Sequence, residues 1–576
     1  MASNDIQFIQ NYLKEQNIDA YLALISDDHG SEYVNDKFKT IAFLCNFTGS
    51  NGFLIIDKNG SYLWTDGRYF LQAVNQLKQT NTKLMKMGID VSIIDFIREH
   101  YKSLMFDFSI ANTNFAKLFS ELKLVDDDFL IDKLWENRPS IANKKIFVLP
   151  EKVCVVSAKE KCHKTLANIK SKENKAVLVS DLADIAYLTN ARGKDIQCNP
   201  TFFAFLLLTE VKGVENYCLY INKAKLDKES KEYFEKQNIN IRPYEKIYQD
   251  VAKIKYPIHF DGRKTNYKLY NLMKNKQDKV LWPTLAKAIK NKQEIKESIK
   301  AHIKDGTAMV KFIYYLKQNV GKKELDEISV ADYLEKLRRK QGAFELSFNT
   351  ICGYNAHGAI IHYGATKETN SKIYKEGLLL VDSGGQYFYG TTDITRTIVV
   401  GPISQQMKEH FTLVLKAHIA LASATFDNKT TDFDLDAITR KPLLDRGLDY
   451  NHGTGHGVGH LLNVHEGPQS ISNNPKRKRV VIKPGMITSD EPGLYLENQY
   501  GIRHENEILC YRKAKDLYAF RPITYVPFDI EAIDISMLNQ QEKEWLNEYH
   551  LMVYQTISPF LTNKEKKFLK ESTKQI

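Results

Sequence analysis

Four carboxylates and one imidazole stand in the last third of this 576-residue chain: Asp382, Asp393, His456, Glu491 and Glu505. Residues of these types can hold a pair of divalent cations. Hard cations prefer oxygen ligands, and two ions a few Å apart need shared carboxylates to offset their mutual repulsion. One imidazole tunes the pair without closing the site. A position is left for a bridging water, which such a site ionises near neutral pH. The chemistry implied is hydrolysis. Taken singly, each acid is also an ordinary turn or strand-edge residue; the five together argue for a site.

Each of the five needs an element to aim it. The apolar run Leu378–Val381 enters Asp382, and the β-branched run from Thr391 to Val400 returns past Asp393. This predicts a β-hairpin turning at Gly384-Gly385, with both aspartates aimed at one point. The block from Asn451 to Pro468 holds four histidines and five glycines in eighteen residues. Glycines let a backbone approach a ligand closely, and those between His452 and His456 argue against a helix there. Glu491 precedes Pro492 and is pushed towards an extended backbone. Glu505 is expected in a strand running into Ile508, Leu509, Cys510 and Tyr511, with a strand-turn-strand between the two glutamates.

These blocks carry a resemblance. Phe348 to Ile351, NAHGAIIHY at Asn355 to Tyr363, VDSGGQYFYGTTDITRT, HGTGHGVGHLLNVHEGP and SDEPGLYLENQYGIRHENE resemble the pita-bread metallopeptidases. WTDGRYFLQA at Trp64 to Ala73, RGKDIQCNPTFFAF and WLNEYH extend the likeness over nearly the whole chain. It is most similar to the aminopeptidase P family, the Xaa-Pro aminopeptidases, in their long cytosolic three-domain form. The resemblance implies a metal-dependent aminopeptidase that cuts between an N-terminal residue and a following proline, using a hydroxide that bridges two metal ions. The ions implied are Mn²⁺, although Zn²⁺ or Co²⁺ would also suit an oxygen-rich site.

The resemblance also implies roles. Asp382 would ligate one ion and help seat the substrate's α-amino group. Asp393 and Glu505 would bridge both ions. His456 would complete one ion and Glu491 the other, with Glu491 handling the proton of the bridging water. His465 and His362 would contact the substrate around the scissile carbonyl. His452 would line the pocket, and Arg68 would lie on the substrate side. His357, His460 and His504 stand where relatives usually carry other residues. No ligand is missing, which disfavours a non-catalytic peptide- or histone-binding module on the same fold. A prolidase acting on Xaa-Pro dipeptides stays open. The long N-terminal region argues against a methionine aminopeptidase.

The length calls for more than one core. FLCNFTGSNGFLIIDKNGSYLWTD, within Ile41 to Asp66, echoes Ile185 to Asn222 in its order of strand, turn and strand. The pattern predicts a duplicated α/β domain with a mixed sheet. The fold expected is mixed α/β (α+β): two creatinase-like α/β domains at 1–150 and 151–288, then a pita-bread catalytic domain at 289–576. The amphipathic run from Ile295 to Leu316 would open the last as a helix.

Composition excludes other classes. With 43% hydrophobic and 26% charged residues the chain is ordinary globular. It has no apolar run long enough to span a bilayer and no secretory signal in its polar first twenty residues, so no membrane partner is expected. Seven scattered cysteines suit a reducing, cytoplasmic compartment. The net charge of +11 is spread along the chain. Its densest run, Lys476 to Arg479, is read as a solvated loop, and no nucleic-acid partner is expected. The expected partners are peptides with proline at the second position. The resemblance adds a homodimer through the catalytic domain, weakly supported by an excess of apolar residues in Trp545 to Leu561.

Overall fold

The computed structural model describes residues 2–141, 143–171 and 173–576, in two compact units. One runs to Glu151 and resumes over Val156–Pro283. The other comprises Lys152–Val155 and Thr284–Ile576.

The N-terminal unit holds two six-stranded mixed sheets of identical topology. The first has the spatial order Thr82–Lys86, Ser61–Thr65, Phe53–Asp57, Ala20–Leu24, Ser103–Phe106, Lys123–Asp126. Its central strand, Ala20–Leu24, pairs antiparallel with Phe53–Asp57 and parallel with Ser103–Phe106. The second repeats this around Lys175–Val179, which pairs antiparallel with Ala204–Val211 and parallel with Ile258–Phe260. The outer pairings, antiparallel then parallel on one side and parallel on the other, also repeat. The duplication expected from the sequence is therefore present in the fold.

One element of the expected echo differs. The segment read as a first strand is a helix, Thr40–Cys45, closed by Asn46 in the left-handed region. Its counterpart Leu182–Thr189 is closed the same way by Asn190. Asparagine tolerates that conformation and ends a helix there. So the repeated unit is helix and then hairpin, not three strands.

The C-terminal unit opens with the expected helix, Lys292–Asn319, capped by Asn291 and Glu294. It packs on Glu327–Lys340, and both cover a sheet of Ile351–Tyr354, Leu378–Ser383 and Ile394–Val399. A six-stranded antiparallel sheet carries the rest, in the order Thr425–Asp427, Leu517–Pro522, Asn506–Ala514, Ile487–Asp490, Gly455–Gly457, Glu466–Ile471. Helices Gln405–Ala422 and Gln540–Ile557 bury Phe411, Val414, Leu546, Tyr549 and Val553 in a shared core. Most of the apolar excess noted in Trp545 to Leu561 is thus spent within its own unit, while Leu551 and Phe560 stay about half exposed. Lys476 to Arg479 form an exposed loop, as expected. No described helix is long and apolar enough to cross a membrane.

Candidate metal centre

The hairpin that carries the two aspartates pairs Leu378 with Val399 through to Ser383 with Ile394. Asp382 therefore lies opposite Thr395, and Asp393 immediately precedes the returning strand. The tip does not turn at Gly384-Gly385. Residues Gly385–Tyr387 and Gly390–Thr391 form a small hairpin of their own, which joins Ala343–Leu346 in a separate sheet. Gly384 is needed for a close approach: a Cβ there would lie 1.8 Å from the Thr392 carbonyl oxygen.

His456 sits in the strand Gly455–Gly457, beside Ile487–Asp490. A Cβ on Gly455 would meet the Ser489 carbonyl oxygen at 1.9 Å, so glycine lets the histidine strand close on its neighbour. Ser489 Oγ accepts from the His456 N–H at 3.0 Å and donates to Glu491 Oε1 at 3.3 Å. The Glu491 N–H donates to the Thr454 carbonyl. Glu505 precedes the strand Asn506–Ala514 and does not lie in it, because its N–H bonds the Thr395 carbonyl at 3.1 Å instead of joining that ladder. Thr395 Oγ1 then donates to Glu505 Oε2 at 2.8 Å.

Strand ends from separate sheets thus converge. Asp382, Asp393 and Glu505 each offer an oxygen within 4.8 Å of one another. His456, Glu491 and Glu505 do likewise, as do Asp393, His456 and His465. His456 Nε2 is 3.5 Å from both Asp393 Oδ2 and Glu491 Oε1. The His456 and His465 rings lie 4.4 Å apart. Side-chain exposure is 1–5% for Glu505 and Asp393 but 18–19% for His456 and Glu491, so the opening is on the latter side.

The electrostatics are those of a cation site. Burial and the neighbouring acids push the Glu505 carboxyl far above its usual range. Burial also raises Asp382, against the pull of Arg503. Burial lifts Glu491 to about 7. Burial disfavours charge on His456, but the hydrogen bond to Asp393 and the charge of Glu491 win and carry it up to about 9. Asp382 Oδ1 is buried without a hydrogen-bond partner. Four carboxylates face one guanidinium and one imidazole. Oxygen-rich donors with an unspent buried acceptor and excess negative charge fit two divalent cations.

Spacing did not reveal the support behind Asp382. Arg503, 2% exposed, gives Nη2 to Asp382 Oδ2 at 2.7 Å and Nη1 to the Tyr495 hydroxyl at 2.7 Å. The Tyr495 hydroxyl lies 2.8 Å from His452 Nε2. Burial and the nearby Arg503 lower His452 to about 3, which keeps it neutral. His452 therefore reaches the ligand set through Tyr495 and Arg503. The signal was the GIRHE string itself, in which a charged residue precedes Glu505 by two.

The other histidines resolve individually. His357 Nδ1 lies 2.9 Å from Glu327 Oε1. His460 Nδ1 lies 3.3 Å from Ser298 Oγ. His504 packs on Phe411 and Phe528. His362 is half-buried, one residue beyond Ile361, whose carbonyl lies 3.5 Å from Arg503 Nη2. Arg68 belongs to the N-terminal unit, where Asp66 holds its guanidinium at 2.7 Å.

Residues 296–512 match the profile of metallopeptidase family M24, and 516–576 match the C-terminal region of that peptidase. Residues 6–134 and 137–294 each match the creatinase/prolidase N-terminal domain. A probable Xaa-Pro aminopeptidase P from Coprinopsis cinerea is 35% identical, covering 100% of this chain and 98% of its own. Another from Laccaria bicolor is 36% identical, covering 96% and 90%. The crystal structure of an X-prolyl aminopeptidase from Caenorhabditis elegans, described as a cytosolic enzyme with a di-nuclear active site, superposes with a TM-score of 0.94. It is 32% identical and covers 100% of this chain and 99% of its own. The chain belongs to metallopeptidase family M24 and, within it, to the Xaa-Pro aminopeptidase P group. Its fold is accordingly two creatinase-type domains followed by a pita-bread domain.

Proposed function

We propose that this protein is a dinuclear metallo-aminopeptidase releasing the N-terminal residue from peptides whose second residue is proline. The observation that carries the reading is the convergence of four carboxylates and one imidazole in a chain similar over its whole length to Xaa-Pro aminopeptidases. Asp382, Asp393, His456, Glu491 and Glu505 would hold the two ions, Mn²⁺ by preference. When bound, the ions would supply positive charge and a water ionised near neutral pH.

The chain's own residues do the rest. Asp382, oriented by Arg503 through Oδ2, would offer Oδ1 to one ion and help seat the substrate's α-amino group beside it. That contact requires a free N-terminus. Glu491 Oε1, held by Ser489, takes the proton of the attacking water and returns it to the leaving proline nitrogen. His465 and His362 donate to the scissile carbonyl as it gains charge. His452 lines the pocket and, through Tyr495, fixes Arg503. The domain limits 1–150, 151–288 and 289–576 belong to the same proposal, supported by the two matching sheets. A cytoplasmic site suits seven cysteines that are all buried.

Turnover tests the activity directly. After EDTA treatment, Xaa-Pro-Yaa tripeptides should stand uncut, and Mn²⁺ add-back should restore cleavage. Equal cleavage of Xaa-Ala-Yaa peptides would overturn the proline reading. Hydrolysis confined to Xaa-Pro dipeptides would make the protein a prolidase.

A homodimer through the catalytic unit is part of the reading, with exposed Leu551 and Phe560 as apolar surface to cover. Light scattering at micromolar concentration should give twice the 66.4 kDa chain mass. A mass of one chain that does not change on concentrating would remove the dimer.

A further inference from the structure

Glu327 is a fully buried carboxylate at the first turn of the helix Glu327–Lys340. An acid at that position ordinarily faces solvent and complements the helix dipole. Here it turns away and spends both oxygens on the segment from Tyr354 to Ser371. Oε1 accepts from the Tyr354 N–H at 2.8 Å, with His357 Nδ1 at 2.9 Å. Oε2 accepts from the Tyr363 hydroxyl at 2.9 Å and the Ser371 N–H at 2.8 Å. The His357 and Tyr363 rings stack with centroids 4.4 Å apart.

Burying a carboxylate costs several kcal/mol unless such donors satisfy it. Within that segment, 355–363 lies in no strand; a 3₁₀ turn over Asn355–Ala359 is its sole regular element. Its far end reaches the metal centre, because the Ile361 carbonyl lies 3.5 Å from the Arg503 nitrogen that grips Asp382. His362 lies between Ile361 and the anchored Tyr363.

We propose that Glu327, acting through His357 and Tyr363, is a positioning residue that sets His362 for the peptidase reaction. The inference rests on the reading of His362 as a substrate contact. His357 gains a purpose by it: its ring closes the gap between the carboxylate and the Tyr363 ring.

Glu327→Gln tests this, because its amide nitrogen would confront the Tyr363 and Ser371 donors. A misplacement of about 1 Å costs on the order of 10²-fold in rate, so kcat for an Xaa-Pro-Yaa peptide should fall by about that factor. KM should move by less than about threefold, and metal content should match wild type. Amide hydrogen exchange over 355–363 should rise. In a His362→Ala background the same substitution should cost less than about threefold more, since Glu327 acts through that residue.

Full additivity in the double variant, or unchanged kcat with unchanged exchange, overturns the proposal. A His362→Ala protein as active as wild type sinks the reading of His362 and the positioning role with it; raised exchange in Glu327→Gln would then mark a purely structural anchor. Tyr363→Phe keeps the test alive if Glu327→Gln does not fold. Removing one donor should lower kcat by about tenfold, with the ring stack kept.

Discussion

Glu505→Ala is expected to abolish detectable peptide hydrolysis and to lower bound metal below two ions per chain, and Asp393→Ala to do the same. Glu505 is shared by two of the ligand groups and is 1% exposed. Without it, two adjacent cations lose a shared negative charge, and their repulsion goes uncompensated. The loss in kcat/KM should exceed about 10³-fold. His465→Ala provides the contrast. It should retain both metals and lose mainly kcat, because the proposed contact strengthens as the carbonyl gains charge. Elemental analysis beside steady-state kinetics separates the two. Two full ions in Glu505→Ala, or none in His465→Ala, would reverse the assignments.

In the metal-free protein the ligand set's contribution to stability is expected to fall steadily as pH rises from about 5 to about 9, while buried neutral histidines such as His452 pull the other way below about 6.5. Glu491 has its folded pKa lifted to about 7 from the ordinary 4.5. Its protonated form is favoured by the fold, so that contribution is complete below pH 4.5 and lost as pH rises through 7. His456, lifted to about 9 from 6.5, has the same sign: its contribution is complete below 6.5 and lost through 9. At about 1.4 kcal/mol per pKa unit, Glu491 alone accounts for on the order of 3 kcal/mol. Bound cations reverse the preference for protonation, so the loaded protein should show a much flatter profile and a higher Tm. Thermal unfolding with EDTA at pH 5.5, 7 and 8.5, against Mn²⁺-loaded samples, measures this. A Tm gap between loaded and metal-free samples that fails to widen over that range would show that the buried acids do not govern it.

Much of the candidate site was legible because the residues it brings together sit in distinctive strings. A carboxylate before Ser-Gly-Gly, a histidine among glycines and a glutamate before Pro-Gly each carry local constraints that the fold respects. The centre's supporting residues were not legible in the same way. Arg503, Tyr495, Thr395 and Ser489 act through hydrogen bonds across strands that are far apart in sequence, and no spacing rule encodes those. In the fold, the periodicity of the 292–319 helix and the two sheet-forming halves stood out. The short run Thr40–Cys45 did not, since a few apolar residues fit helix and strand alike and only the left-handed Asn46 decides. The hairpin tip at 385–391 was misplaced for a related reason. Gly384-Gly385 signals close packing there as well as a turn, and the Thr392 carbonyl beside Gly384 shows which applies.

The Thr395–Glu505 hydrogen bond spans 110 residues, and the Arg503–Asp382 pair spans 121. Closing loops of that size is slow, because chain entropy is lost before the contact repays it. On the proposed ligand set, no ion could meet all its ligands on a growing chain until the segment carrying Glu505 had emerged and returned to the 378–399 hairpin. Metal capture would then be a late event in biogenesis, a seal on an already folded catalytic unit.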